Sequence, residues 1–251
     1  MSTDQPLAGK TAIVTGGSRG IGRAIAERLG ADGAGVVVGY RTEETAAEEV
    51  VAAIREHGPQ AVAVKVDVSK TEDVRKLFNT GIDIFGALDI LVNNAGLAIP
   101  HRPPIADVTD EEYDRLFAVN TRGTFMAMRE AARRLADGGR VINLASTVNA
   151  MALPGYSVYA GTKAAVEMFT KIFAKELEGK GITVNAVAPG PVETELFNEG
   201  KTEADKQRMA EMCPLKRLGQ PQDIARVVAF LAGPEGGWIN GQILMANGGI
   251  A

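Results

Sequence analysis

Seven short apolar segments recur along the 251-residue chain, separated by stretches that have the spacing of amphipathic helices. Several of the segments are continuous runs rich in Val and Ile, which is typical of strands buried on both faces of a parallel sheet. The sequence therefore predicts an α/β fold with a doubly wound, seven-stranded parallel sheet and helices on both faces. The segments are Thr11–Thr15, Gly35–Gly39, Ala61–Val66, Leu88–Val92, Arg140–Leu144, Ile182–Val187 and Gln242–Met245.

Helix signals between these segments support this order of elements. Thr42–His57 and Pro221–Ala232 each carry an apolar stripe and end before a Gly-Pro pair. Thr109 and Glu112 have the spacing of a capping box that opens a further helix. Because no linker, repeat or low-complexity stretch interrupts the pattern, we expect one domain over residues 1–251.

Composition argues against several classes of function. The net charge of −4 provides no basic excess for nucleic acid, and no apolar run approaches the roughly 18 residues of a membrane span. Cys213 is the only cysteine, and His57 and His101 lack metal-ligand spacing, so neither a disulfide framework nor a metal site is expected. The polar start is unlike a signal peptide, and we expect a cytoplasmic protein that binds neither nucleic acid nor membrane.

A glycine-rich turn follows the first predicted strand. Gly16, Gly20 and Gly22 stand in the spacing G-x-x-x-G-x-G, directly before the predicted helix Arg23–Leu29. Glycines at such a turn let the backbone approach a pyrophosphate and direct the amides of a helix N-terminus toward it. An ordinary loop is the alternative interpretation. The position of the turn between the first strand and the first helix of a Rossmann-type sheet favours a dinucleotide-binding site.

The residues after the second predicted strand bear on the choice of dinucleotide. Tyr40 and Arg41 follow that strand, and no acidic residue appears before Glu43. An acid there would bind the ribose hydroxyls of NAD, whereas the fork of Arg41 suits the 2′-phosphate of NADP. Arg19 in the glycine-rich turn offers a second positive charge. Either arginine alone could be an ordinary surface residue, but together they favour NADP(H).

Polar residues also mark later strand ends and one helix. Asp67 follows the third strand, where either it or Ser69 could cap the next helix. Asn93–Gly96 follows the fourth strand and suits either a ligand site or a structural turn. Asn120 interrupts an apolar helical stripe, so its amide must be satisfied locally or hold a water in a site.

Three further residues form a candidate proton-transfer group. Ser146 stands at the end of the fifth strand, and Tyr159 and Lys163 share one face of a helix at i, i+4. A neighbouring ammonium favours phenolate, so we expect Lys163 to lower the pKa of Tyr159 from its usual value near 10. Tyr159 would then exchange a proton with an alcohol or carbonyl oxygen.

At these positions, and over nearly its whole length, the chain resembles the short-chain dehydrogenase/reductase family. Within the family it is most similar to the NADPH-dependent 3-oxoacyl-[acyl-carrier-protein] reductase-like and aldehyde and ketone reductase-like members. Near the C-terminus it departs from the commoner family forms, which indicates a subgroup distinct from housekeeping fatty-acid synthesis. The matching motifs are Thr15–Gly22, Asn93–Gly96, the set Asn120, Ser146, Tyr159 and Lys163, Pro189–Thr194, Gly241 and Gly248–Gly249; the departures are Trp238–Gln242 and Ala246–Gly249.

The resemblance implies a catalytic role for each of four residues. Tyr159 gives a proton to the carbonyl oxygen while NADPH delivers hydride to the carbon, and Ser146 hydrogen-bonds the same oxygen. Lys163 binds the nicotinamide ribose and lowers the pKa of Tyr159, and Asn120 holds a water that extends the proton relay. The cofactor residues implied are Gly16, Ser18, Arg19, Gly20, Ile21, Gly22, Tyr40, Arg41, Asp67, Val68, Asn94, Ala95, Gly96, Tyr159, Lys163, Pro189, Gly190, Val192 and Thr194.

The expected substrate is a small hydrophobic ketone or aldehyde. Residues 191–214 are highly charged with scattered apolar side chains, which indicates a lid, although a pair of surface helices is the alternative. Ala98–Ile105 and Asn149–Tyr156 would form the other walls. His101 and Arg102 could meet an acidic substrate tail or could simply be exposed loop residues.

The predicted helix Tyr159–Leu177 is apolar over more than one face, and the family is usually tetrameric, so we expect a homotetramer. Two other functions stay open. The first is oxidation of alcohols or sugars with NAD, and the second is a sensor that binds NADPH without turnover.

Overall fold

Seven parallel strands form one sheet in the order β3-β2-β1-β4-β5-β6-β7. The computed structural model describes residues 5–251. The strand order reverses between β1 and β4, and the crevice at this reversal is where doubly wound sheets bind ligands. The strands are β1 (Thr11–Thr15), β2 (Gly35–Tyr40), β3 (Ala61–Lys65), β4 (Ile90–Asn93), β5 (Arg140–Leu144), β6 (Thr183–Pro189) and β7 (Ile243–Ala246).

All seven predicted strands are present, and their ends move by no more than two residues. The fourth strand was predicted over Leu88–Val92, whereas β4 begins at Ile90, which lies opposite Ala12 of β1. The sixth continues to Pro189 because this residue pairs with Ala246 of β7. Pairing with neighbours, which local patterns do not contain, decides these ends.

Helices connect the strands and cover both faces of the sheet. The predicted helix Pro221–Ala232 is confirmed with the same bounds, and the capping box of Thr109 and Glu112 is also confirmed. A π-helical segment, Phe117–Gly123, joins α4 to α5. The helices are α1 (Gly20–Ala31), α2 (Glu44–Glu56), α3 (Thr71–Phe85), α4 (Asp110–Leu116), α5 (Thr124–Arg134), α6 (Val148–Met151), α7 (Ser157–Glu176), α8 (Glu195–Asn198), α9 (Glu203–Met212) and α10 (Pro221–Ala232).

The core has two layers, one on each face of the sheet. Val36 and Val38 pack in the layer that contains α1, α2 and α10, whereas Val37 between them packs in the layer that contains α3, α5 and α7. Successive side chains of a strand point to opposite faces, so both faces must be apolar. This burial explains why the strands appear in the sequence as continuous apolar runs.

Within residues 5–251, no helix has both the length and the apolar composition needed to cross a membrane. The same residues include no group of three or more His, Cys, Asp or Glu side chains arranged to hold a metal ion.

Candidate active site

The glycine-rich turn after β1 has a shape that only glycine permits. Gly16 and Gly20 have φ angles of +64° and +53°, in the left-handed region that glycine enters readily. A Cβ on Gly22 would lie 2.0 Å from the carbonyl oxygen of Gly16. The helix α1 begins at Gly20, three residues before its predicted start. Its N-terminal amides therefore open onto this turn, as a pyrophosphate site requires.

Thr15 and Asn94 join the ends of β1 and β4 at the switch point. The Thr15 hydroxyl accepts hydrogen bonds from the backbone N–H groups of Asn94 at 3.0 Å and Ala95 at 3.1 Å. Asn94 Nδ2 donates to the carbonyl oxygens of Thr15 and Gly16 at 3.0 and 2.9 Å. No separate role of Thr15 is predicted from the sequence, although a hydroxyl at the end of an apolar strand is a usable signal.

The two arginines expected at the adenosine phosphate both have acidic neighbours. Arg41 Nε lies 3.8 Å from Asp67 Oδ2, and Arg19 lies 3.1 Å from Glu195 of α8. Arg41 also lines a cavity of about 510 Å³ in which four of the seven lining residues are cationic. The other lining residues are Thr42, Lys65, Asp67, Lys70, Asp73 and Lys76.

Asp67 does not cap α3, whose N-cap residue is Lys70. Instead, Asp67 Oδ1 accepts hydrogen bonds from the backbone N–H and the hydroxyl of Ser69, at 3.0 and 2.6 Å. Partial burial alone would raise the pKa of Asp67, but the bonds from Ser69 and the charges of Arg41 and Lys70 outweigh it and lower the pKa. The carboxylate is thus held ionised at the end of β3.

The other predicted cofactor residues near these loops are largely inside the protein. Ser18, Tyr40 and Val68 are buried, and Ile21 packs against the core from the first turn of α1. On the far side of the cleft, a Cβ on Gly190 would lie 2.7 Å from the Cα of Asn247. Asn247 is thus a neighbour of this loop that the sequence pattern does not predict.

The four predicted catalytic residues lie close together at the carboxyl ends of β4 and β5. Lys163 Nζ donates to the carbonyl oxygen of Leu144 at 2.7 Å and lies 5.9 Å from the centre of the Tyr159 ring. A Cβ on Gly96 would lie 3.6 Å from Lys163 Nζ and 3.5 Å from Asn120 Oδ1.

The pKa of Tyr159 differs from the sequence-based expectation. Burial raises this pKa above its ordinary value, and a hydrogen bond with the side chain of Ser146 opposes the rise. Burial also lowers the pKa of Lys163 to about 8. The prediction that Lys163 lowers the pKa of Tyr159 is therefore wrong for this structure, since Lys163 is directed to Leu144 and Ser146 supplies the lowering contact.

Asn120 is fully buried in the π-helical segment, and its side-chain amide is fully engaged. Oδ1 accepts from the backbone N–H of Leu97 at 2.8 Å. Nδ2 donates to the Leu97 carbonyl oxygen at 2.9 Å and to the Thr162 hydroxyl at 3.1 Å. The side-chain amide of Asn120 therefore finds its hydrogen-bond partners within the protein, which is one of the two possibilities that the sequence leaves open.

The segment after β6 approaches the glycine-rich turn. Thr194 caps α8 by accepting from the backbone N–H of Phe197 at 3.1 Å, and a Cβ on Gly20 would lie 3.4 Å from Thr194 Cγ2. Val192 is buried and bridges to Gly219. The helices α8 and α9 occupy most of the predicted lid, and no residue of either is buried.

The predicted substrate walls meet beside the first turn of α7. A Cβ on Gly155 would lie 2.6 Å from the carbonyl oxygen of Arg102. His101 is exposed and lies 3.5 Å from Glu112, which agrees with its interpretation as a loop residue. A cavity of about 620 Å³ lies here, and none of the four catalytic candidates lines it. Its lining residues are Pro104, Ile105, Val148, Asn149, Ala152, Leu153, Pro154, Gly155, Tyr156, Ser157, Ala160, Gly161 and Ala164.

Comparisons with known proteins agree with this geometry. Residues 16–251 match the family model described as "Enoyl-(Acyl carrier protein) reductase". The chain is 47% identical to a short-chain type dehydrogenase/reductase from Picea abies, over 97% of this chain and 93% of that protein. It is 46% identical to an NADPH-dependent aldehyde reductase-like protein, chloroplastic, from Arabidopsis thaliana, over 97% of this chain and 95% of that protein.

A solved structure shows the same fold. It is a short-chain dehydrogenase from Burkholderia cenocepacia J2315 in complex with NADP, with a TM-score of 0.92 and 41% identity. The match covers 98% of this chain and 99% of that one. The Rossmann-type sheet, the glycine-rich turn and this full-length similarity lead to one conclusion: the chain belongs to the short-chain dehydrogenase/reductase family of oxidoreductases.

Proposed function

We propose that the protein uses NADPH to reduce a ketone or aldehyde on a hydrophobic substrate, in a reversible reaction. The observation that carries this proposal is the grouping of the Tyr159 phenol with the Lys163 ammonium, which lies 5.9 Å from the ring centre at the end of β5, where Ser146 follows two residues later. A binding protein without turnover has no need of such a proton-transfer group. The grouping therefore favours catalysis over the sensor alternative.

Each residue has a distinct role in the proposed reaction. Bound NADPH supplies the hydride. Tyr159 donates its phenolic proton to the carbonyl oxygen, and the raised pKa keeps the phenol protonated until that transfer. Ser146 donates a hydrogen bond to the same oxygen as negative charge develops on it. Lys163 is held in place by Leu144 and provides a positive charge near the phenol and the ribose site.

In the proposed reaction, Asn120 acts through its backbone carbonyl oxygen. Its side-chain amide already makes three hydrogen bonds, so a relay water would bind the backbone carbonyl oxygen. That oxygen accepts a bond from Thr124 at 2.8 Å, and a carbonyl oxygen has two lone pairs. The proposed relay then runs from Tyr159 to Lys163 and on to this water.

The choice of NADP(H) over NAD(H) rests on charge at the adenosine end. No carboxylate follows β2 directly, and Arg41 lies beside the cationic cavity and Arg19 beside the turn. The pyrophosphate would lie against Gly16–Gly22 and the nicotinamide end against Asn94–Gly96 and Pro189–Thr194. This assignment agrees with the NADP bound to the Burkholderia relative.

The lid, the assembly and the location are further parts of the proposal. Residues 191–214 would close over the substrate, and the position of Thr194, 3.4 Å from where a Cβ on Gly20 would lie, supports such closure. Met168 and Ile172 of α7 are 54% and 48% exposed, which supports a homotetramer with a subunit contact on this face. The cytoplasmic location stays a prediction.

The test measures oxidation of NADPH and NADH with hydrophobic ketones, aldehydes and 3-oxoacyl thioesters. The panel also includes 2-enoyl thioesters, because the matching family model is described as an enoyl reductase. We expect NADPH-dependent carbonyl reduction that Tyr159→Phe lowers by about two orders of magnitude or more. Preference for NADH with sugars or alcohols would favour the dehydrogenase alternative. Tight NADPH binding without turnover on any substrate would favour the sensor.

A further inference from the structure

Thr162 is a fully buried residue that the proposed reaction does not use. It lies on α7 between Tyr159 and Lys163. Its hydroxyl accepts a hydrogen bond from Asn120 Nδ2 at 3.1 Å and donates one to the carbonyl oxygen of Tyr159 at 2.7 Å. It is therefore the direct link between two of the catalytic candidates.

These two bonds require the same orientation of the Asn120 amide as its two bonds to the Leu97 backbone. A threonine hydroxyl has one proton, and here Tyr159 receives it. Only a lone pair then faces Asn120, so the group opposite must be the amide NH₂ and not the oxygen. Oδ1 accordingly accepts from the backbone N–H of Leu97 at 2.8 Å, while Nδ2 donates both to the Leu97 carbonyl oxygen and to Thr162.

The result is a continuous set of hydrogen bonds across the site. It runs from the loop after β4, through the amide of Asn120, to the helical turn that carries Tyr159. A second bond joins the same two elements, since the Thr121 hydroxyl donates to the carbonyl oxygen of Thr162 at 3.3 Å. The π-helical segment and the first turns of α7 are thereby held in one relative position.

We infer that Thr162 is a positioning residue for proton transfer. It holds the Asn120 backbone at a fixed position relative to the Tyr159 phenol. This inference rests on the proposed carbonyl reduction and extends it. Without the hydroxyl, Asn120 Nδ2 loses its bond to α7, and the Thr121 bond alone has to maintain the spacing between the two elements. Proton delivery slows, whereas binding of NADPH at the glycine-rich turn does not change.

Thr170 on the same helix provides a matched control. It is also fully buried, accepts from an asparagine amide (Asn143 Nδ2, 2.9 Å) and donates to a backbone carbonyl (Val166, 2.8 Å). Its partner Asn143 bonds to Asn93 and not to a catalytic candidate. Replacing either threonine by valine removes equivalent bonds from equivalent surroundings.

The experiment compares Thr162→Val, Thr162→Ser and Thr170→Val. We expect Thr162→Val to lower kcat for carbonyl reduction about tenfold or more, because small misplacements of reacting groups have effects of this size. Its solvent deuterium isotope effect on kcat should increase, and its Kd for NADPH, followed by cofactor fluorescence, should stay within about twofold. Thr162→Ser keeps the hydroxyl and should recover most of the rate.

The two valine variants separate positioning from general stability. Both should lower the melting temperature, but Thr170→Val should keep kcat and the isotope effect close to those of the unmodified enzyme. If Thr162→Val does not fold, Thr162→Ala takes its place. An unchanged kcat and isotope effect in the Thr162 variant, or equal changes in Thr170→Val, would overturn the inference alone. Absence of carbonyl turnover in the unmodified enzyme would overturn the proposed function and this inference with it.

Discussion

Lys163 donates a 2.7 Å hydrogen bond from its buried ammonium group to the carbonyl oxygen of Leu144, the last residue of β5. This bond anchors the side chain of α7 to the end of the sheet, where Ser146 follows two residues later. Burial costs the ammonium its hydration and lowers the pKa of Lys163 to about 8. The positive charge proposed for catalysis is therefore present at neutral pH and lost in mildly alkaline solution.

The rate of reduction should consequently fall as the pH rises through about 8. The raised pKa of Tyr159 keeps the phenol protonated in this range, so deprotonation of Lys163 sets the fall. The measurement is kcat with saturating NADPH between about pH 6 and pH 10. Lys163→Arg retains its charge and should lack the fall near pH 8, even if its rate is lower. Identical profiles for the two proteins would contradict this assignment.

The same pKa predicts how stability depends on pH. The ordinary pKa of lysine is 10.5, and that of Lys163 in the folded protein is about 8. Between these values the unfolded chain binds more protons than the folded protein, so this group makes the free energy of unfolding rise with pH. Urea unfolding of the unmodified protein and of Lys163→Met at several pH values measures the difference. Between about pH 8 and pH 10, the free energy of unfolding of the unmodified protein should rise relative to that of the variant. A constant difference between the two free energies would show that the burial of Lys163 has no such effect.

Arg41 should distinguish the two cofactors. Arg41→Gln removes a cation beside the proposed 2′-phosphate, and a lost charge-assisted hydrogen bond corresponds to a loss of about 10- to 100-fold in affinity. We expect the Kd for NADPH to rise by this factor and the Kd for NADH to stay nearly constant. Arg28→Gln is the matched control, because Arg28 pairs with Asp32 at the far end of α1. Equal weakening of both cofactors by Arg41→Gln would place the 2′-phosphate elsewhere.

Gly22→Ala should remove cofactor binding. The new Cβ would lie 2.0 Å from the carbonyl oxygen of Gly16, so the glycine-rich turn must move. Gly138→Ala is a suitable control, since Gly138 has a φ of +76° and no atom within 4 Å of the added Cβ. That variant should lose about 1 kcal/mol of stability through backbone strain but retain NADPH binding. Fluorescence titration with NADPH compares the two, and normal binding by Gly22→Ala would show that the turn adapts.

Local patterns in the sequence were enough to predict the seven strands and several of the helices between them, but not the π-helical segment Phe117–Gly123. Val36–Val38 is a continuous apolar run because both faces of the sheet are covered, and burial on both faces leaves a visible trace in composition. Pro221–Ala232 has its own start and stop signals, so its bounds were correct. The glycine-rich turn was recognisable because the positive φ at Gly16 and the close approach of the backbone at Gly22 both favour glycine.

Only the tertiary structure decided how the polar groups of the site are paired. The sequence predicted that Lys163 lowers the pKa of Tyr159, but burial and the direction of the ammonium toward Leu144 reversed the result. It likewise left Asn120 open, and the contact with Thr162, 42 positions later in the chain, resolved it. The physical reason is that pKa values and hydrogen-bond partners depend on desolvation and on distances across the fold. Such quantities arise when distant segments pack together, whereas strand and turn preferences are properties of each segment alone.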